Sequence, residues 1–233
     1  MKSASKKPVI LFVGAHPDDT ECFGGTAFLL RDRYDLHVVD LTRGENGLGL
    51  AGRKDGSTGR IRTAEEERAC AFLGATLHFL HDVNGAAEAT RASVDELVRL
   101  FAELKPVAVL THWPVDEHPD HVQCAAVVGH AFRISGHKAE RYFFEASTGQ
   151  TANWRPLYSV DISAVMPQKL ELIAMYACQN PNGSLVAENE SRAARRGGER
   201  SPSVKFAEAF ETFDGSPVAG GVIESLGETV FCR

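Results

Sequence analysis

The chain has 233 residues, 43% of them hydrophobic and 24% charged, which is ordinary globular composition and enough for one large α/β core. Its formal net charge of −6 leaves no electrostatic footprint for a polyanion, so nucleic acid is not an expected partner. The five cysteines stand singly with no Cys-x-x-Cys pair, which excludes a zinc knuckle and suits buried reduced thiols in a cytoplasmic protein.

The amino terminus, Met1 to Lys7, is basic, but the apolar run after it, Pro8 to Ala15, is short and ends in His-Pro-Asp-Asp. That pattern does not read as a signal peptide, and no stretch approaches the ~18 apolar residues of a membrane span. Val9 to Ala15 is instead predicted as a buried parallel strand. Gly24-Gly25 opens a helix through Leu30, and Leu36 to Leu41 is a second strand. Residues 43 to 61 carry six glycines and few apolar anchors, so they are expected to form one long loop. Arg62 to Leu73 reads as a helix with Gly74 past its end, Leu77 to Leu80 as a strand, and Ala92 to Leu104 as a helix closed by Lys105-Pro106. Val107 to Leu110 is a fourth strand, and Val122 to Phe132 recurs at helical spacing. Strands follow over Tyr142 to Glu145 and Leu157 to Ile162, with a helix over Gln168 to Cys178. Residues 180 to 205 are polar and predicted to be a loop or a loosely held helix. Four strand–helix alternations in the first 133 residues define a single-domain, mostly parallel, Rossmann-like α/β sheet with helices on both faces, with no boundary inside residues 1–233.

Ligands of open α/β sheets sit beyond the carboxyl ends of the strands. Two clusters fall there: Ala15-His16-Pro17-Asp18-Asp19 after the first strand, and His112-x-x-x-Asp116-x-His118-Pro119-Asp120-His121 after the fourth. Imidazole and carboxylate bind zinc, and three ligands with an open position for water make the catalytic form. His16 and Asp19 are three apart, as are His118 and His121, so either pair projects to one side of a helix-like turn. One pair plus one residue of the other cluster completes a three-ligand set. Each cluster alone could be a strand-end histidine with an aspartate capping the next helix. Two at corresponding strand ends weigh against that, because capping does not require histidine. His37, His78, His81, His130 and His137 are expected to be structural.

The segment from Ala15 through Glu21, followed by Gly24-Gly25-Thr26, resembles the first signature of the PIG-L/LmbE-type zinc deacetylases, and Asp116-x-His118-Pro119-Asp120-His121 resembles the second. Leu41 to Glu45, Arg62-x-x-Glu65, Val160-Asp161-Ile162, Lys169, Gln179 and Ala207 to Phe210 are similar to further family segments. The resemblance implies His16, Asp19 and His121 as ligands of Zn²⁺, with Fe²⁺ or another divalent metal also admissible. It implies Asp18 as general base, His118 as the group that stabilises the oxyanion or protonates the leaving amine, and Asp120 as the residue that orients His118. Arg62 and Asp82 match positions that hold the sugar. The implied reaction removes acetyl from an N-acetylglucosamine conjugate whose aglycone is a malate- or inositol-like group. Members of the family are often multimers, so the resemblance admits a homo-oligomer, while the sequence itself does not fix the oligomeric state. The rival readings are another metal-assisted hydrolase, such as a two-metal phosphoesterase, and a non-catalytic sugar- or nucleotide-binding module in which Gly24-Gly25 cradles a phosphate.

Overall fold

In the computed structural model, residues 6–47, 55–146 and 149–232 are described. Eight strands form one sheet: β1 (Val9–Gly14), β2 (Asp35–Asp40), β3 (Thr76–Phe79), β4 (Ala108–His112), β5 (Glu140–Phe144), β6 (Tyr158–Asp161), β7 (Ala207–Thr212) and β8 (Val230–Cys232). Their order is β3-β2-β1-β4-β5-β7-β6-β8. The pairs from β3 through β5 are parallel, whereas β7 pairs antiparallel with β5 and β6, and β8 antiparallel with β6. The expected mostly parallel α/β sheet is therefore present, extended by an antiparallel edge.

The unbroken apolar run of β1 reflects burial on both faces. Ile10 and Phe12 join one core, with residues of α1 (Gly24–Leu30), α2 (Ser57–Leu73), α5 (Met166–Ala174) and α6 (Ser184–Gly198). Leu11 and Val13 join the other, under α3 (Arg91–Leu104) and α4 (Pro119–Ser135). Alternate side chains of a strand point to opposite faces, so one six-residue strand seeds both layers. Chain order reverses at β1, which lies between β2 and β4; this is the topological switch point where a crevice opens beyond the strand ends. Val13 pairs with Thr111, so the loops leaving β1 and β4 emerge side by side.

Three expectations need correction. The loop predicted over 43–61 ends earlier, because α2 begins at Ser57; residues 48–54 lie outside the described residues. Gly59 sits inside the helix, where even a methyl group would lie 3.2 Å from Glu45 Cγ, so it serves close packing and not loop flexibility. Residues 184–198 form a firmly packed helix whose Asn189, Arg192 and Arg196 are buried by ion pairs and hydrogen bonds that periodicity does not register. Cys22, Cys70 and Cys124 are buried thiols, but Cys178 is only half-buried and Cys232 is exposed.

Gly24-Gly25 does open a helix, yet its amide groups have an internal partner. Gly25 N and Thr26 N donate to the two carboxylate oxygens of Glu208 on β7 at 2.9 and 2.8 Å, and Lys169 Nζ donates to Glu208 Oε1 at 2.7 Å. A side chain on Gly25 would meet Ile162 at 2.8 Å. This helix end is a buried structural joint, which removes the basis for the phosphate-cradle alternative.

Candidate metal centre

The two clusters named from sequence meet. Ring centroids of His16 and His121 are 5.4 Å apart, and His118 lies 4.6 Å from each. His16, Asp19 and His121 offer ligand atoms that all fall within 4.8 Å of one another, and all three residues are buried.

Local folding explains how each donor is aimed. After β1 the chain makes a single 3-10 turn, Asp19–Cys22. Asp19 Oδ2 accepts from Ala15 N at 2.7 Å, His16 N at 2.9 Å and His112 Nε2 at 2.8 Å. With that oxygen saturated, Oδ1 is left facing His121 Nε2 at 3.6 Å. Burial alone would raise Asp19, but His112, His121 and His16 hold its carboxyl well below the ordinary carboxylate range. His112 is fully buried, and burial lowers its pKa to about 4, so it is the neutral imidazole that donates from Nε2. Its Nδ1 is consequently a bare acceptor, and it has no hydrogen-bond partner among the described residues.

The remaining ring nitrogens follow the same logic. His16 Nε2 pairs with Asp120 Oδ2 at 3.0 Å, leaving Nδ1 as its free ligand atom. His121 Nδ1 pairs with Asp116 Oδ1 at 3.1 Å, leaving Nε2. A carboxylate behind each imidazole fixes the tautomer and strengthens the ligand, as metal-ligating histidines usually require. His118 is the N-cap of α4: its Nδ1 accepts from Asp120 N at 3.2 Å, and Pro119 supplies the pre-set first helical residue. Its Nε2 remains for chemistry.

Asp120 needs a correction. It was expected to orient His118, but its carboxylate bonds His16, Gly85 N at 2.6 Å and Ala87 N at 3.2 Å, and only its backbone touches His118. Burial would raise Asp120, yet His16 and these amides hold it at about 2. His16, His118 and Asp120 form a second cluster of ligand-type atoms. Because Asp120 Oδ2 already accepts from His16 and Gly85, and Oδ1 from Ala87, that cluster supports the first and does not duplicate it.

Asp18 stands beside Asp19 with φ of 106°, a left-handed conformation that strains any residue with a Cβ. Its amide donates to Glu66 Oε2 at 3.0 Å, and its Oδ1 pairs with Arg62 Nη2 at 2.9 Å. Burial raises its pKa to about 7, with Arg62 opposing the rise. Arg62 also donates to the carbonyl of Pro17, so this guanidinium braces the loop that carries Asp18. Gly44, at φ of 67°, is the neighbour whose missing side chain makes room for Arg62.

A cavity of about 380 Å³ opens on the group, lined by His16, Asp18, Asp19, Arg62, His118 and His121, with Asn46, Asn84, Gln150 and Gln179 among the polar wall residues. Asp82, expected to hold the sugar, is not among its lining residues; its Oδ1 accepts from Ser93 Oγ at 2.9 Å at the start of α3. Sequence reading placed His112 and Asp116 in the second cluster but gave neither a role. Their positions at a strand end and two residues before His118 were the available signal.

Fold and site together define an α/β protein with a buried His/Asp/His donor set at the sheet's switch point, an imidazole nitrogen without a hydrogen-bond partner among the described residues, and a near-neutral carboxyl beside it. The family described as GlcNAc-PI de-N-acetylase, PIG-L, matches residues 11–132, and the chain belongs to that family. The chain is 33% identical over 163 residues to a 1D-myo-inositol 2-acetamido-2-deoxy-alpha-D-glucopyranoside deacetylase of Thermomonospora curvata, a match that covers 56% of this chain. It spans about half the length of that relative, 54%. A 4-oxalmesaconate hydratase of Pseudomonas putida is 27% identical over 188 residues, covering 72% of this chain and 73% of the relative. In fold the chain is similar to the N,N'-diacetylchitobiose deacetylase of Pyrococcus horikoshii, with TM-score 0.76, 22% identity, and 89% of this chain and 84% of the other covered.

Proposed function

We propose that this single-domain chain is a divalent-metal hydrolase that removes the acetyl group from an N-acetylglucosamine conjugate. His16, Asp19 and His121 would hold the ion. The observation that carries the reading is the aim of their donor atoms: each has its other polar atom occupied by the fold, and the atoms left over converge. Two nitrogens and one oxygen suit Zn²⁺, and the same set accepts Fe²⁺. When bound, the cation polarises the amide carbonyl and acidifies the attacking water.

The protein's own groups supply the proton transfers. Asp18 shares the cavity with the donor set, and its carboxylate, charged once a cation lies beside it, is placed to act as a base. It takes the proton of the attacking water. His118, its Nδ1 accepting from the helix amide, presents Nε2–H to the developing oxyanion, and the proton that Asp18 has taken passes to the leaving amine. Asp120 acts on this chemistry through His16, not through His118. Arg62 fixes Asp18 and forms the cavity wall against which the sugar would lie. The buried thiols Cys22, Cys70 and Cys124 suit a reducing compartment, the cytoplasm. Among the described residues no helix is long and apolar enough to cross a membrane.

The hydratase relative favours one other reading, addition of water across a carbon–carbon double bond of an acidic substrate, which needs the same base and acid. The family's own description and the inositol-linked relative favour the amide. Acetate release from a panel of N-acetylglucosamine conjugates with neutral and acidic aglycones separates them, run with and without a chelator. Chelator-sensitive acetate release is the expected result. Loss of the ultraviolet absorbance of a conjugated dicarboxylate, with no acetate from any conjugate, would establish the rival.

Proton linkage gives a second expectation. Despite burial, Asp19 and Asp116 hold His121 above the ordinary imidazole pKa, and Asp18 sits at about 7. In the metal-free protein both groups therefore carry protons below about neutrality. A bound cation would compete with the proton of His121 and repel that of Asp18, so affinity should climb as pH passes from 6 to 8. Calorimetry in two buffers of different ionisation enthalpy should show more protons released at pH 6 than at pH 8. Affinity independent of pH over that interval would contradict it.

A further inference from the structure

The 3-10 turn that carries Asp19 is a single strained turn, and its bracing comes partly from the far end of the chain. Arg192 of α6 is buried, 5% exposed, and its guanidinium reaches Glu21 on that turn twice: Nη2 to Oε2 at 2.9 Å and to the backbone oxygen at 3.3 Å. The same group donates to Asn189 Oδ1 at 2.6 Å, which fixes it on its own helix, and Nη1 donates to the backbone oxygen of Glu145 at 3.4 Å. Glu145 directly precedes Ala146, a wall residue of the cavity, and Glu21 is itself a wall residue. One guanidinium therefore joins the turn after β1 to the end of β5, the two rims of the site.

We propose that Arg192 is a positioning residue for the metal centre: it clamps the turn through Glu21 and so holds Asp19 and Asp18 in the geometry that the cation and the substrate require. This inference rests on the metal-hydrolase reading above. The physical case is that a left-handed Asp18 persists only where its surroundings over-determine it. From the α2 side Glu66 holds the turn, accepting from Asp18 N and from Thr20 Oγ1 at 2.8 Å. From the α6 side Arg192 holds its other end. Arg192 lies outside the segment matched by the family, residues 11–132, and its helix reads in sequence as a polar stretch. Its neighbour Arg196 is an internal comparison: it is also buried, but its guanidinium pairs with Glu145 and Glu199 and does not touch the turn.

The test is Zn²⁺ affinity of the chelator-stripped protein, measured by competition with a chromogenic chelator, alongside the thermal midpoint of the metal-free form. Arg192→Met should bind Zn²⁺ about tenfold or more weakly, the loss usual when an outer partner of a metal site is removed. Arg192→Lys, which keeps the charge and one bond to Glu21, should recover part of the affinity. Arg196→Met should lower the thermal midpoint and leave affinity within about twofold of wild type. Should Arg192→Met not fold, Arg192→Lys carries the comparison: weaker Zn²⁺ binding than Arg196→Met supports the clamp. Wild-type affinity in the Arg192 variants, or an equal loss in Arg196→Met, would overturn it. Absence of Zn²⁺ binding by the wild-type protein would instead bring down the metal-centre reading, and this inference with it.

Discussion

Asp18→Asn should keep its full metal content and lose roughly 10²–10⁴-fold in turnover, the usual contribution of a placed general base. The substitution is nearly isosteric, and asparagine is among the residues that tolerate a positive φ, so the turn at 106° survives. The amide oxygen can still accept from Arg62, whose other contact, the carbonyl of Pro17, is unaffected. What is lost is the one lone pair that takes a proton from the attacking water. Metal content by elemental analysis and acetate release under saturating substrate measure the two halves separately. Near-normal turnover would remove Asp18 from the base role, whatever the metal content.

His121→Ala should lose metal and activity together. The donor set falls from three to two, and Asp19 Oδ1 is left without the imidazole it faces at 3.6 Å. The fold around it should persist, because Asp116 keeps its bonds from His118 N at 2.8 Å and Thr151 Oγ1 at 3.1 Å, and His118 still caps α4. A circular dichroism spectrum like wild type with metal below one tenth of a molar equivalent is the expected pair of results. Full occupancy in this variant would strike His121 from the ligand set. The two substitutions are complementary, since one separates metal from turnover and the other ties them.

The parts of this architecture that depend on local pattern are readable from the chain. Apolar runs such as Val9–Gly14 mark strands buried on both faces, and Gly74, at positive φ, ends a helix where a glycine just past an apolar periodicity predicts an end. The site was readable because its residue types are costly to explain otherwise: two histidine–aspartate clusters at strand ends have few bland uses. What escaped the reading depends on contacts between distant segments. Nothing local ties Arg192 to Glu21, Glu208 to Gly25, or Asp120 to His16, which are 171, 183 and 104 residues apart. The same reason explains the misplaced Asp82: its neighbourhood is set by how α3 packs, and there it accepts from Ser93 instead of facing the cavity. Helix α6 was underestimated because its stabilising contacts are buried ion pairs, which add polar residues to a segment and so mask its periodicity.

The most direct test is anomalous diffraction at the zinc edge on crystals of the protein reconstituted with one equivalent of Zn²⁺. A single peak should lie among His16, Asp19 and His121, with the nitrogen of His118 outside its ligand shell. A peak centred on Asp120 and His118, or two peaks of equal height, would contradict the assignment.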